Sequence, residues 1–178
     1  MLIKTVFSGF GGQGIIMMGY LFAMAGMYEE KNVTCLPSYG AEVRGGTANC
    51  TVVISTEEIA SPVASEPEFA VLMNNPSFFR FQNHVQSGGA VFLNSSLIEA
   101  RPIRGDIDVF EVPANDLARQ LNEDRVTNMV MLGAFIRKSG LISLETMAHV
   151  IKDTFATRNP KIIKLNRSAL QLGYDYVG

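Results

Sequence analysis

Four glycines fall within the ten residues FSGFGGQGII, positions 7–16, and they raise the first chemical question of this chain. Gly9, Gly11 and Gly14 keep the G-x-G-x-x-G spacing, and Gly12 is an extra. A glycine turn between a strand and a helix brings backbone close to a ligand. It also aims helix N–H groups at an anion, where the helix dipole favours negative charge. A dinucleotide site needs a further part, an acid at the end of the second strand, about twenty residues on, to hold the ribose hydroxyls. Here that strand ends Leu36-Pro37-Ser38-Tyr39, and Glu29 and Glu30 come before it. The phosphate loop G-x-x-x-x-G-K-[ST] fails outright, because no lysine follows the glycines. Half a fingerprint is present, and a tight packing turn without a ligand stays open beside it. Gln13 argues for more than packing, since an amide at a loop tip can hydrogen-bond a ligand or a partner chain.

A second loop, SYGAEVRGG at 38–46, gathers an aromatic, an acid, an arginine and three glycines. Glu42 and Arg44 alone make at most a solvated ion pair of little worth. Arg44 followed by Gly45 and Gly46 is more telling, because it sets a bidentate cation beside exposed amides. Sequential strands are usually neighbours, so the first two strands are expected side by side. Both loops then open at the carboxyl ends of their strands, where open α/β sheets bind ligands. The residues make an anion or partner site rather than a reaction centre. No Ser–His–Asp set, close Cys–His pair or paired carboxylates stand out, and His84 and His149 read as surface or capping residues. Cys35 and Cys50 read as two free buried thiols in a reducing compartment. An iron–sulfur cluster takes about four thiolates, so the chain alone carries none, and two cysteines with two histidines leave little for zinc.

The elements that must hold these loops follow from the hydrophobic pattern. LIKTVFS at 2–8 suits a buried strand. From 14 to 30 the text is helical and apolar almost all round, which predicts a helix covered on more than one face. Its Met17, Met18, Met24 and Met27 read as core filler, with part of the helix buried against a partner. NVTCLPSY at 32–39 is a strand that Pro37 ends or confines to an edge. TANCTVVIS, reached by a short loop, reads as its antiparallel hairpin partner. FAVLMN at 69–74, a short helix at 76–83, the strand in SGGAVFLNSS and the strand DIDVFEV at 106–112 follow. Helices are predicted at 114–122, at 127–139 closed by Gly140, and from a Ser143 cap to about 155; a short last one opens at Asn166 or Ser168. The alternation makes an α/β fold, a single domain over 1–178 with a mixed, mainly parallel sheet flanked by helices.

Composition agrees. The 178 residues are 47% hydrophobic with a net charge of −2, enough apolar content for a sizeable core and no basic surface for nucleic acid. The start, MLIKTVFSGFGG, reads as neither a signal peptide nor a membrane span, which makes a cytoplasmic protein without a membrane partner the expectation.

Together, GFGGQGI and PSYGAEVRGGTANC resemble the gamma subunit of the 2-oxoacid:ferredoxin oxidoreductases, most of all the 2-oxoglutarate members. The likeness extends through FAVLMNNP, GGAVFLNSS and TNMVMLGAF with Asn128. It implies a fold like domain III of pyruvate:ferredoxin oxidoreductase. It also implies a complex that oxidatively decarboxylates a 2-oxoacid with coenzyme A, giving acyl-CoA, carbon dioxide and reduced ferredoxin. Thiamine diphosphate with Mg2+ and the iron–sulfur clusters are then carried by the other chains: thiamine-binding alpha and beta subunits and a ferredoxin-like delta subunit. On this resemblance Gly11, Gly12, Gln13, Gly14, Tyr39, Glu42, Arg44, Gly45 and Gly46 form a coenzyme A site, a subunit interface, or both. No catalytic residue and no metal is assigned to this chain. The alternatives are a self-contained Rossmann-like oxidoreductase using NAD or FAD, and a purely structural subunit.

Overall fold

The computed structural model describes residues 1–40 and 46–178. Glu42, Arg44 and Gly45 of the second loop therefore lie outside the described residues. A run of β-branched and apolar residues makes β1, Leu2–Phe10, and the glycine turn leads into α1, Ile15–Tyr28. β2 (Asn32–Tyr39) and β3 (Thr47–Ser55) form the expected hairpin. β4 (Phe69–Leu72), α2 (Asn75–Phe81), β5 (Ala90–Asn94) and β6 (Asp108–Val112) come next. The chain closes with α3 (Ala114–Gln120), a single 3-10 turn, α4 (Thr127–Ser139), α5 (Leu144–Thr154) and α6 (Pro160–Tyr176).

The six strands lie in the order β2-β3-β1-β4-β5-β6. β1, β4, β5 and β6 run parallel, and β3 is antiparallel to both its neighbours, so the sheet is mixed and mainly parallel as read from sequence. One expectation is corrected. β1 and β2 are not side by side, because β3 lies between them in unbroken register from Leu2 opposite Ser55 to Phe10 opposite Thr47. The cause is the short 40–46 connection, which permits only a hairpin return; nine-residue β3 then fills the slot beside β1, and β2 is left at the edge. That edge position is what lets Pro37 sit inside a strand.

Helices cover the two faces unequally. α1, α4 and α5 share one core cluster with Phe7, Val52, Val71 and Phe92 of the sheet, whereas α2 packs on the other face through Phe78 against Leu72 and Leu93. At the centre of the larger cluster Phe7, Phe22, Phe92 and Phe135 meet edge-on, Phe22 and Phe135 with ring centroids 5.1 Å apart. Such pairs add roughly 0.5–1.5 kcal/mol beyond area burial. α4 and α6 pack backbone to backbone: a Cβ on Gly133 would overlap the Leu170 carbonyl, and one on Gly173 would overlap the Val130 carbonyl.

Further corrections have local causes. α6 starts at Pro160 rather than at Asn166 or Ser168. The Asn159 side chain accepts from the Lys161 N–H at 2.9 Å, and proline at the first position costs no hydrogen bond. α1 is covered on more than one face, by the sheet and by α5, with Met18, Leu21, Phe22 and Ala25 buried. Met17 and Met27 are not core filler: with Tyr20 and Tyr28 they are exposed along one stripe. Cys35 is exposed rather than buried, being on the edge strand, and Cys50 is buried. His84 and His149 are both exposed, as read. Among the described residues no helix is long and apolar enough to cross a membrane.

Candidate functional site

The two glycine loops meet at one end of the sheet even though β1 and β2 are not adjacent. β2 runs parallel to β1 across β3, so the carboxyl ends of both strands face the same way. Phe10 lies opposite Thr47 and Tyr39 opposite Ala48. Just beyond the paired strands the Gly11 N–H donates to the Gly46 carbonyl at 2.9 Å, and the Gly40 N–H to the Thr47 carbonyl at 2.7 Å. The first loop is thereby bonded to the end of the second. Gly11 and Gly12 are exposed, Gln13 and Gly14 half-buried, and Tyr39 stands out at 69% exposure. Tyr39 gives this end of the edge strand a broad apolar surface with a hydroxyl at its tip.

Gly14 is the N-cap of α1 in the left-handed region, φ 74°, and its carbonyl accepts the Met18 N–H at 2.9 Å. No side chain caps α1, and its first turn carries no acid. Its leading N–H groups thus lack a side-chain cap at the positive end of the dipole, a combination that suits an anion. Asn128 in the first turn of α4 donates to the Gly14 carbonyl at 3.3 Å and draws a second helix start to the same point. Beside it a cavity of about 290 Å3 is lined by Met17, Arg125, Asn128, Met129, Phe155 and Ile162. Arg125 puts a largely exposed guanidinium at this rim, 3.7 Å from the Glu123 carboxylate.

Gln13 is turned inward. Its Oε1 accepts from the Phe10 N–H at 2.7 Å and from Asn74 Nδ2 at 3.1 Å, and its Nε2 donates to the Met73 carbonyl at 3.4 Å. The amide ties the glycine loop to the end of β4 and holds the backbone N–H groups in place rather than presenting itself. Below the loop lies a polar layer that sequence reasoning missed. Ser8 Oγ bonds to Asn49 and to Ser77, the latter at 2.9 Å. Asn74 caps α2 by accepting from the Ser77 N–H at 2.9 Å. Asn94 donates to Asn115 Oδ1 at 2.7 Å and accepts the Ala114 N–H at 3.2 Å. The signal was present in FSG, VLMNNP and FLNSS, where each strand passes from apolar residues to Ser or Asn at its carboxyl end. Satisfied buried networks of this kind hold a rim rigid.

Among the described residues this edge offers hydrogen-bond donors and positive potential, and no acid–base pair. Among the described residues no three His, Cys, Asp or Glu side chains gather as metal ligands. The geometry also works against a dinucleotide. The tip of β2 carries Ser38 and Tyr39, and with β3 interposed it stands two strand spacings from β1, roughly 10 Å instead of 5 Å.

Comparison with known proteins places this arrangement. Residues 4–176 match the pyruvate ferredoxin/flavodoxin oxidoreductase family. The ketoisovalerate oxidoreductase subunit VorA of Methanothermobacter thermautotrophicus is 37% identical over 98% of this chain, which spans only 36% of that protein. The 2-oxoglutarate synthase subunit KorC of Methanocaldococcus jannaschii is 33% identical over 83% of this chain and 80% of its own length. The keto/oxoacid ferredoxin oxidoreductase gamma subunit of Geobacter sulfurreducens superposes with a TM-score of 0.83 at 26% identity, covering 98% of both chains. For the fold alone, the 2-oxoglutarate:ferredoxin oxidoreductase of Magnetococcus marinus reaches a TM-score of 0.91 at 23% identity, over 99% of this chain and 31% of that one. The resemblance carried by the two glycine loops is borne out, and the chain belongs to the pyruvate ferredoxin/flavodoxin oxidoreductase family.

Proposed function

We propose that the chain is the gamma subunit of a cytoplasmic 2-oxoacid:ferredoxin oxidoreductase, with 2-oxoglutarate as its acid, and that its paired glycine loops form the coenzyme A side of the site. The observation that carries this reading is the Gly11–Gly46 hydrogen bond at 2.9 Å, which joins the uncapped start of α1 to the end of the arginine-bearing loop. Coenzyme A is strongly anionic. With the Gly11 N–H held by the Gly46 carbonyl, the exposed amide of Gly12 and the half-buried one of Gly14 suit its phosphates, and so does a guanidinium at Arg44. Gln13 holds those amides in register, and Glu42, Arg44, Gly45 and Gly46 are assigned to the same site by their match to the family's second motif. Tyr39 stacks on the ligand or on the neighbouring subunit. Thiamine diphosphate with Mg2+ and the iron–sulfur clusters belong to the alpha, beta and ferredoxin-like delta chains, where decarboxylation and electron transfer take place.

The test uses the reconstituted complex with 2-oxoglutarate, pyruvate and 2-oxoisovalerate offered in parallel. Omitting this chain is expected to abolish acyl-CoA formation. Arg44→Ala is expected to raise the KM for coenzyme A roughly tenfold or more with assembly intact, the loss of one charge-assisted hydrogen bond. Lost assembly at unchanged KM would instead support a structural subunit. Micromolar binding of NAD or FAD to the isolated chain would favour the self-contained oxidoreductase.

The stripe Met17, Tyr20, Met27 and Tyr28 on α1 supports an assembly role, because those side chains are 36–59% exposed on one face of a helix. Such a surface is what an obligate partner covers. Met27→Lys is expected to weaken co-purification with the alpha and beta chains at least tenfold while the thermal midpoint of the isolated chain stays within a few degrees. An unchanged yield of complex would remove this face from the interface.

A further inference from the structure

Cys35 of β2 and Cys50 of β3 take no part in the proposed site, yet their sulfurs stand 3.4 Å apart. They form a diagonal cross-strand pair, Cys35 opposite Val52 and Cys50 opposite Pro37. Cys50 is fully buried under α1, where the absence of a Cβ on Gly19 makes room for its sulfur. Cys35 is exposed on the edge strand. A hydrogen bond from the Cys50 thiol lowers the Cys35 thiol to about 7, against the opposing effect of burial. The same hydrogen bond, with burial, pushes Cys50 up. The exposed sulfur is therefore the one an oxidant reaches and the more readily ionised of the two, and the buried one waits as a thiol beside it.

We propose that Cys35 and Cys50 are a redox-modification site, in which a peroxide-class oxidant converts the pair into a cross-strand disulfide that clips β2 to β3. The Cys35 thiolate attacks one peroxide oxygen. A sulfur–oxygen bond forms, the oxygen–oxygen bond breaks, and the departing hydroxide takes a proton and leaves as water. Cys50 then attacks the resulting sulfenic sulfur; the sulfur–sulfur bond forms as the sulfur–oxygen bond breaks, and the Cys50 proton leaves with the hydroxide as a second water. Two thiols lose two electrons, and one hydrogen peroxide becomes two waters.

Closure brings the sulfurs to about 2.05 Å. Diagonal neighbours stand roughly 7 Å apart at their Cα atoms, at the outer reach of a disulfide, so β2 must shift toward β3. It can do so because it is hydrogen-bonded on one side only. A strained, partly exposed bond of this kind is readily reduced again, which makes the site reversible rather than structural. The chemistry needs no coenzyme A.

The experiment treats the full chain with hydrogen peroxide, alkylates residual thiols after denaturation, and maps peptides by mass spectrometry. The expected result is loss of two thiols, a mass lower by about 2 Da, a Cys35–Cys50 linked peptide within one chain, and full reversal by dithiothreitol. In Cys50→Ser, Cys35 is expected to stop at a sulfenic acid that dimedone traps. If that variant does not fold, Cys35→Ser at the exposed position serves, and Cys50 is expected to remain reduced under the same treatment. Two thiols that stay alkylatable, a Cys35 sulfinic acid without crosslink, links only between chains, or Cys50 oxidised in Cys35→Ser would each overturn the proposal.

Discussion

Gly173→Ala in α6 is expected to destabilise the fold by about 3 kcal/mol, lowering the melting midpoint by roughly 6–12 °C for a chain of this size. The sign is the informative part. In the middle of an ordinary exposed helix, glycine to alanine stabilises by about 1 kcal/mol. Here the added methyl would overlap the Val130 carbonyl of α4, and carbonyl oxygen cannot rotate away as a flexible side chain can. The helices would have to separate, carrying Val130, Ala169 and Leu170, all buried, out of the main core. Gly133→Ala meets the Leu170 carbonyl from the other helix and should cost a similar amount. Because one separation relieves both overlaps, the double variant is expected to cost less than the sum. Gly105→Ala, with nothing near its Cβ, is the control and should melt within a degree or two of the parent. Thermal circular dichroism of the parent and the four variants decides it; a Gly173→Ala chain that melts at or above the parent would mean that the helices are free to slide.

That glycine pair also shows where sequence reading stops. Gly173 in QLGYDY and Gly133 in MLGAF read only as weak points in helices, because their use depends on a helix some forty residues away. Elements with local signals were legible. Ser143 accepts from the Thr146 N–H at 3.0 Å and Gly140 closes α4 at φ 62°, both written in the sequence as cap residues. β2 and β3 were legible through their β-branched runs and their short connection. Strand order was not, because the insertion of β3 beside β1 is decided by nine long-range pairings and leaves no mark within either strand. The site divides the same way. The two loops were visible as glycine clusters, and their common end follows from parallel β1 and β2. The inward turn of Gln13 was invisible, since its partners Asn74 and Met73 come from β4's end. The start of α6 was misplaced at Asn166 or Ser168, because Asn159-Pro160 reads equally as a turn and the packed face of α6 decides between them.

Gly14→Ala is expected to reduce kcat/KM for coenzyme A in the reconstituted complex at least tenfold and to cost the chain about 2–3 kcal/mol. Two effects combine. Alanine in the left-handed region costs roughly 1–2 kcal/mol, and Gly14 has φ 74°. A Cβ there would also overlap the Asn128 amide, so Asn128 must swing out and give up its bond to the Gly14 carbonyl. Gly12 separates the two. Its φ of 100° is equally unsuited to alanine, but nothing lies within 4 Å of its Cβ, so Gly12→Ala carries backbone strain without the collision. Its stability loss should be about 1–2 kcal/mol. Removing the obstacle tests the collision directly: in Gly14→Ala with Asn128→Ala, part of the stability lost to the first change should return, a positive coupling of about 1 kcal/mol in a double-mutant cycle. If the double variant is no more stable than the additive sum, Asn128 does not brace the loop. The strain alone would then set the shape that α1 presents to an anion. If coupling appears and the KM for coenzyme A recovers with it, the contact between the two helix starts is what holds the amides at binding geometry.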